Sequence, residues 1–260
     1  MPSAISSFLY TPGELGTTFN EFDKIDEISD CMNLLSDEES KMIYKNFIKF
    51  ICTYNKDLFN FYDKNIYFNK DLRSSINYNF FVDVGAYTGD TLKDWLSYIN
   101  TSQKFGYEAF EPNPNEFIKL ENYVMSMTES IKNNIYLYNF ALGDENKSLY
   151  ISNNGVGSTI SNIKGSVCVD TSIKRLDDIT LHNSPTAIKV DVEGYEKEFL
   201  NGATFTIKEY RPSLLVCIYH KKYDFFQIPL KLHELCPNHK LYIRQHMPVY
   251  GDTVCYAIKY

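Results

Sequence analysis

The chain has 260 residues, 44% of them hydrophobic, and carries 26 Lys and Arg against 33 Asp and Glu for a formal charge of −7. That length fits one large α/β domain, or one with a helical extension, and the apolar content suffices for a substantial core. The acidic balance and the lack of any Lys/Arg run argue against a nucleic-acid partner. No apolar stretch approaches the ~20 residues that span a bilayer, so no transmembrane segment is expected. The first ten residues lack the basic start and apolar run of a secretory signal, so a cytoplasmic location is the default expectation. The six cysteines (Cys31, Cys52, Cys168, Cys217, Cys236 and Cys255) are scattered without zinc-ligand spacing and are expected to be free thiols. Cys168, Cys217 and Cys255 fall in strand-like runs, where cysteine behaves as a small core residue.

Residues 1–20 are rich in Ser, Thr, Pro and Gly and read as a loop or extended arm. A helical pattern begins near residue 24. Ser36 with Glu39 has capping-box spacing, and the helix it starts carries Ile43, Phe47, Phe50 and Ile51 on one face. A further helical piece covers 56–62. Residues 1–75 are thus expected to form an arm and a helical layer, and 76–260 the main domain. In the latter, strands at 79–85, 105–111, 135–141, 186–192 and 213–219 alternate with helices at 90–99, 114–127, from 196, and at 225–235. Residues 148–152 and 167–171 are expected to form a hairpin or sheet extension around Gly155 and Gly157. Strands at 241–245 and 253–259 end the chain as an antiparallel pair. Alternating strands and helices predict a doubly wound, mostly parallel sheet with helices on both faces.

Ligands of such sheets sit beyond the carboxyl ends of the strands. The first strand runs through Asp83 into Gly85-Ala86-Tyr87-Thr88-Gly89, followed by Asp90 and Thr91 at a helix start. The spacing departs from the GxGxxG of dinucleotide enzymes, and Asp90 would repel a pyrophosphate. Asp83 suits a cationic ligand. Glu111, at the end of the second strand and followed by Pro112 and Asn113, lies about 20 residues past the loop, where an acidic residue accepts ribose hydroxyls. At the third strand end, Asn139 and Ala141 are placed to border an adenine ring; a plain turn at Gly143 is an equal reading. The fourth strand carries Lys189 and Asp191, with Glu193 just beyond, and an apolar strand tolerates such charges only if they are paired or functional. The fifth ends at His220 and Lys221.

These segments, VDVGAYTGDT, AFEPNP, NFALGD, IKVDVEGYEKEFLNGA and RPSLLVCIYHK, occur in an order that resembles the FkbM-family methyltransferases over residues 78–258. The helical leader is similar to that of bacterial members, though less closely. The resemblance implies a class I methyltransferase (Rossmann-like) sheet of seven strands in the order 3-2-1-4-5-7-6, with strand 7 antiparallel. It implies S-adenosylmethionine as methyl donor and a hydroxyl acceptor. Bacterial relatives are associated with polysaccharide and glycolipid decoration. Asp83, Gly85, Ala86 and Gly89 would line the donor's methionine part and Glu111 its ribose. Asp191 and Glu193 would lie on the acceptor side, across from His220.

A sugar hydroxyl needs its proton removed, and His220 and Asp191 are the expected catalytic bases. Glu193, Lys189, Lys221, Tyr67 and Phe68 are expected to contact the acceptor, the two rings by stacking. A divalent ion held by Asp191 and Glu193 is conceivable, but two carboxylates are too few to predict a metal. The N-terminal layer is expected to act as a lid over the acceptor or as a homodimer contact. The competing readings are a nucleotide-sugar oxidoreductase or epimerase on a related sheet and a non-catalytic binding protein on a methyltransferase core.

Overall fold

The computed structural model describes residues 24–53, 55–59, 62–152, 160–161, 168–221, 223–248 and 251–260. The expected arm at 1–20, the side chains of Ile51, Cys52 and Cys168, and the turn glycines Gly155 and Gly157 lie outside the described residues. Seven strands hydrogen-bond in one sheet: β1 (Phe80–Val84), β2 (Gly106–Phe110), β3 (Ile135–Tyr138), β8 (Ala187–Val190), β9 (Ser213–Cys217), β10 (Lys240–Gln245) and β11 (Thr253–Ile258). Their order is β10-β11-β9-β8-β1-β2-β3. Numbered by chain order within this sheet and started from β3, that is the expected 3-2-1-4-5-7-6. The chain divides into two compact units, 76–214 and 1–75 with 215–260.

In the unit 76–214, β1 pairs in parallel with both β2 and β8, and β2 with β3. Strands β2, β8 and most of β1 are fully buried, which is why they read as near-continuous apolar runs. Helix α3 (Asp90–Tyr98) buries Thr91, Leu92 and Trp95, at the i, i+1, i+4 spacing of a single helical face. Trp95 is wholly buried, lies 4.8 Å from the Tyr107 ring, and donates from its indole N–H to the Tyr78 carbonyl at 2.8 Å. Helix α4 (Pro114–Met125) starts with proline in its first turn and is capped by Asn113, whose side chain accepts from Asn115 N–H.

The run 135–141 is not one strand. Asn139 leaves the sheet after β3, and Ala141–Leu142 (β4) joins a second sheet of order β4-β7-β5-β6. Here β5 (Lys147–Ser152) pairs antiparallel with β7 (Cys168–Lys174) and with β6 (Ile160–Ser161), so the segments 148–152 and 167–171 pair, but within this second sheet and with β6 between them in the chain rather than as a simple hairpin or an extension of the main sheet. The stretch after Glu196 is two short helices, α6 (Glu196–Gly202) and α7 (Thr204–Tyr210), with a short helix α5 (Glu129–Lys132) earlier in the chain.

In the unit 1–75 with 215–260, α1 (Ile25–Leu34) and α2 (Glu38–Thr53) lead into a 3-10 turn at Lys56–Phe59. Ile43, Phe47 and Phe50 are buried as the periodicity requires, and the Phe47 ring lies 4.7 Å from that of Phe225 on α8 (Asp224–Leu235), tilted by 32°. The cap of α2 is Asp37, not Ser36: Asp37 Oδ1 accepts Ser40 N–H at 2.8 Å, while Ser36 N–H donates to the Leu241 carbonyl. Strands β10 and β11 pair antiparallel. Cys31, Cys217, Cys236 and Cys255 are buried free thiols.

Arg244, on β10 and 2% exposed, anchors this unit. Its Nη2 lies 2.6 Å from Asp37 Oδ2 and 2.7 Å from Asp71 Oδ2, and its Nη1 donates to Ser40 Oγ at 2.9 Å. Burial would push the Asp37 carboxyl up, but Arg244 and Ser40 outweigh it and hold it below the ordinary range. Arg244→Met is expected to cost about 2–4 kcal/mol at neutral pH, less than a fully buried pair because both carboxylates are part-exposed. Since the folded Asp37 value is depressed, the stability it brings is present above its ordinary 3.8 and lost as pH falls through the folded value. Urea denaturation at pH 7 and pH 3 checks this: the gap between variant and wild type should shrink at the lower pH.

Candidate active site

The site is built where β1, β2 and β8 end. Gly85 follows β1 with φ +84°, and a Cβ added there would lie 1.9 Å from the Asp191 carbonyl oxygen, so only glycine fits between the two strand ends. Gly85 and Ala86 N–H both donate to the Phe110 carbonyl at 3.0 Å. Tyr87 takes φ +48°, rare for a bulky residue, and its N–H reaches Glu111 Oε2 at 2.8 Å. Gly89, at φ +90°, donates to the Ala86 carbonyl and closes the turn. Its bare Cα also leaves room for Leu120 and Tyr123 of α4. Thr88 is half-buried, Thr91 is buried, and Asp90 is exposed at the start of α3.

Glu111 is 7% exposed and has both oxygens aimed at backbone donors, Oε2 at Tyr87 N–H and Oε1 at Asn113 N–H, each at 2.8 Å. Burial pushes its carboxyl from 4.5 up to about 7, against the pull of those two donors and of Lys189. Each oxygen keeps a lone pair for a further donor. Pro112 is half-buried and Asn113 buried. Asn139 is exposed and donates from Nδ2 to the Glu111 carbonyl at 2.8 Å, so it braces the end of β2. Ala141 is buried in β4, packed with Ile173 and Tyr195, and its strand pairs with β7. Its backbone is therefore less open to a ring than the sequence suggests.

Two expectations change. Asp83 is wholly buried, with Oδ1 2.9 Å from Lys189 Nζ and Oδ2 accepting the Tyr107 hydroxyl, so its carboxylate is enclosed rather than turned to a cationic ligand. Lys189, expected at the acceptor, is 2% exposed and donates to the Gly85 carbonyl at 2.5 Å. Burial alone would lower the Lys189 amine, but Asp83 and Asp191 hold it above its ordinary value and charged. The cause in both cases is that a strand residue pointing into the sheet's own packing finds a partner there before it finds a ligand.

Asp191 and Glu193 are half-buried just past β8, and Asp191 N–H continues the ladder to the Val84 carbonyl. Glu193 has φ +53° and Gly194 φ +93°, a left-handed pair. Glu196, 1% exposed, shapes it: its Oε1 accepts from Val192 N–H at 3.0 Å and Gly194 N–H at 3.3 Å. The sequence reading gave Glu196 no role beyond starting a helix. A carboxylate in the first helical turn, just after glycine, is the signal that marks such a brace.

The remaining expected residues belong to the other unit. His220 is half-buried shortly after β9. Lys221 is exposed and its N–H donates to Asp224 Oδ2 at 2.8 Å. Tyr67 and Phe68 are 3% and 1% exposed, and the Tyr67 hydroxyl lies 3.4 Å from Cys217 Sγ. These two rings pack inside their unit and present no open face for sugar stacking, a correction to the expected role.

A seven-stranded sheet in this order, with a tight glycine turn after β1 and a buried carboxylate after β2, defines a class I methyltransferase-like fold. A family model described as the methyltransferase FkbM domain matches residues 83–252. The chain therefore belongs to the FkbM methyltransferases, a family dependent on S-adenosylmethionine. The crystal structure of methyltransferase FkbM from Methylobacillus flagellatus KT is similar, with a TM-score of 0.74 and 21% identity over 90% of this chain and 59% of that one. This chain thus spans less than two thirds of that relative. Aeropyrum pernix fibrillarin, solved with natively bound S-adenosyl-L-methionine, matches at 12% identity over 71% of this chain and 68% of its own, with a TM-score of 0.43. Precorrin-6y C5,15-methyltransferase from Geobacter metallireducens GS-15 matches at 11% identity over 76% and 93%, with a TM-score of 0.44. At those scores neither bears on function. No curated protein matches the chain.

Proposed function

We propose that the chain is an O-methyltransferase that moves a methyl group from S-adenosylmethionine to a sugar hydroxyl, on a nucleotide-linked sugar or a precursor of a surface polysaccharide or glycolipid. The observation that carries the donor half is Glu111, a desolvated carboxylate at the end of β2 that keeps acceptor capacity for ribose hydroxyls. The loop facing it fits an uncharged ribose better than a pyrophosphate. The N–H groups of Gly85, Ala86, Tyr87 and Gly89 are committed to Phe110, Glu111 and Ala86. A dinucleotide enzyme aims such groups at phosphate, so the oxidoreductase reading loses support. The sugar hydroxyl rests on the family resemblance. No helix among the described residues is long and apolar enough to cross a membrane, and a cytoplasmic enzyme meeting a nucleotide-linked sugar is our reading.

When bound, the donor supplies a methyl group on a positively charged sulfur, already activated for displacement. The chain's own part is to hold and to deprotonate. Glu111 holds the ribose, oriented by the Tyr87 N–H of the turn that Gly85 permits. A base takes the acceptor hydroxyl's proton as the oxygen becomes a nucleophile, worth about 10²–10⁴-fold. Asp191, after β8, and His220, after β9, are the proposed bases, with Glu193 and Lys221 proposed to contact the acceptor.

Calorimetric titration with S-adenosylhomocysteine, followed by a screen of sugar acceptors, tests the proposal. Micromolar binding and methyl incorporation support it, and no binding returns the chain to the non-catalytic reading. With an acceptor in hand, His220→Ala and Asp191→Asn are expected to lower kcat about 100-fold or more while donor affinity stays within about threefold. Full turnover in both variants would reject the assignment of the bases.

A further inference from the structure

Lys189 stands in β8, a strand whose other residues are apolar, and it is 2% exposed. Its Nζ donates to the Gly85 carbonyl at 2.5 Å and lies 2.9 Å from Asp83 Oδ1. The Tyr107 hydroxyl donates to the other oxygen of Asp83, and both of those residues are wholly buried. Polar groups from three neighbouring strands, β8, β1 and β2, therefore converge beneath the glycine turn.

Stability alone does not account for this cluster. A buried ion pair is often matched or bettered by well-packed apolar residues of similar volume. What an apolar pair lacks is a donor for one particular carbonyl. The Ala86 N–H, on the same peptide, is already held by the Phe110 carbonyl, and Gly85 is packed closely against the Asp191 carbonyl. With Lys189 on the Gly85 carbonyl, the peptide between Gly85 and Ala86 is held from both sides. The next residue is Tyr87, whose left-handed conformation turns its N–H onto Glu111.

We infer that the Lys189–Asp83–Tyr107 cluster is a positioning device for the donor site. Lys189 touches no ligand. It fixes the plane of the Gly85–Ala86 peptide, and through that turn it sets the Tyr87 N–H that orients Glu111. Asp83 and Tyr107 keep the ammonium charged and aimed. This rests on the donor-binding reading above.

The test separates positioning from folding by measuring donor affinity and thermal stability on the same variants. Lys189→Met leaves Asp83 buried without its cation and should lower Tm by about 10 °C. The double variant Lys189→Met with Asp83→Asn removes both charges and should recover Tm to within about 5 °C of wild type. Its affinity for S-adenosylhomocysteine should nonetheless stay down about tenfold or more, because the Gly85 carbonyl has lost its donor. Affinity within about twofold of wild type in a stable double variant would show the cluster to be structural only and overturn the inference. Should the double variant fail to fold, Tyr107→Phe decides. A loss of about threefold or more in affinity with little change in Tm supports positioning, and unchanged affinity overturns it. If the wild-type protein binds no S-adenosylhomocysteine, the donor reading itself has failed. If wild type binds and the variants bind equally well, only this inference falls.

Discussion

Gly85→Ala should weaken donor binding about 100-fold or more and lower Tm by about 10 °C, through two penalties that add. Holding an L-residue at φ +84° costs about 1–2 kcal/mol. The new methyl would lie 1.9 Å from the Asp191 carbonyl oxygen, a backbone atom of a neighbouring strand end that cannot rotate away. Relieving that overlap costs about 1–3 kcal/mol more and drives the β1 turn away from β8. The same shift takes the Gly85 carbonyl from Lys189 and the Tyr87 N–H from Glu111, so affinity for S-adenosylhomocysteine should fall about 100-fold or more. Gly202→Ala is the control. A Cβ there would lie 1.7 Å from the Gly143 carbonyl oxygen, an equally hard clash between the α6 end and the turn after β4. It should cost similar stability while the folded fraction keeps its affinity within about twofold. A Gly85→Ala protein that binds as well as wild type would mean that the turn is not part of the donor site.

The main sheet was legible because its strands are buried. Segments such as FFVDV and SLLVC show continuous apolar character between glycine or proline breaks, and their alternation with helices admits few topologies. What could not be read depends on a single side chain's partner. The run 135–141 looks like one strand, yet Asn139 turns its amide to the Glu111 carbonyl and the chain leaves the sheet there. The two residues of β4 are too short to carry a periodic signal. The α2 cap falls to Asp37 because Arg244, over two hundred residues away in the chain, also needs that carboxylate.

The site was legible in position and less so in role. Glu111 and the glycine turn stand at the strand ends where the spacing put them. Lys189 and Asp83 were recognisable as charges that an apolar strand must pair or use, and the structure pairs them with each other. Nothing local distinguishes that outcome from a ligand contact, because the pairing depends on the register of β1 against β8, where Asp83 lies directly opposite Lys189. Tyr67 and Phe68 show the converse, since aromatic residues in a loop-like stretch are as suited to a core as to a sugar.

The affinity for S-adenosylhomocysteine should fall as pH drops below about 7, while the contribution of Glu111 to the stability of the unliganded protein, read as the difference between wild type and Glu111→Gln, rises. Burial raises the folded-state value of this carboxyl from 4.5 to about 7. Between those values the folded protein binds more protons than the unfolded chain, so this group's contribution to stability decreases as pH rises. That is the reverse of an ion-paired carboxylate such as Asp37. The full swing from this one group is at most about 3 kcal/mol. Ribose hydroxyls donate to the charged form, so binding requires the proton to be off, and affinity should drop up to about tenfold per unit of pH below the folded value. Above it, affinity should level off. Glu111→Gln should lose both trends and bind weakly at every pH. Its amide nitrogen also faces the N–H of either Tyr87 or Asn113, where the carboxylate had accepted from both. Calorimetric titrations and thermal melts from pH 5.5 to 8.5 on wild type and variant read both slopes. Equal affinity across that range would remove Glu111 from the donor site, because no buried carboxylate poised near neutrality could hold the ribose without its charge state showing in the binding.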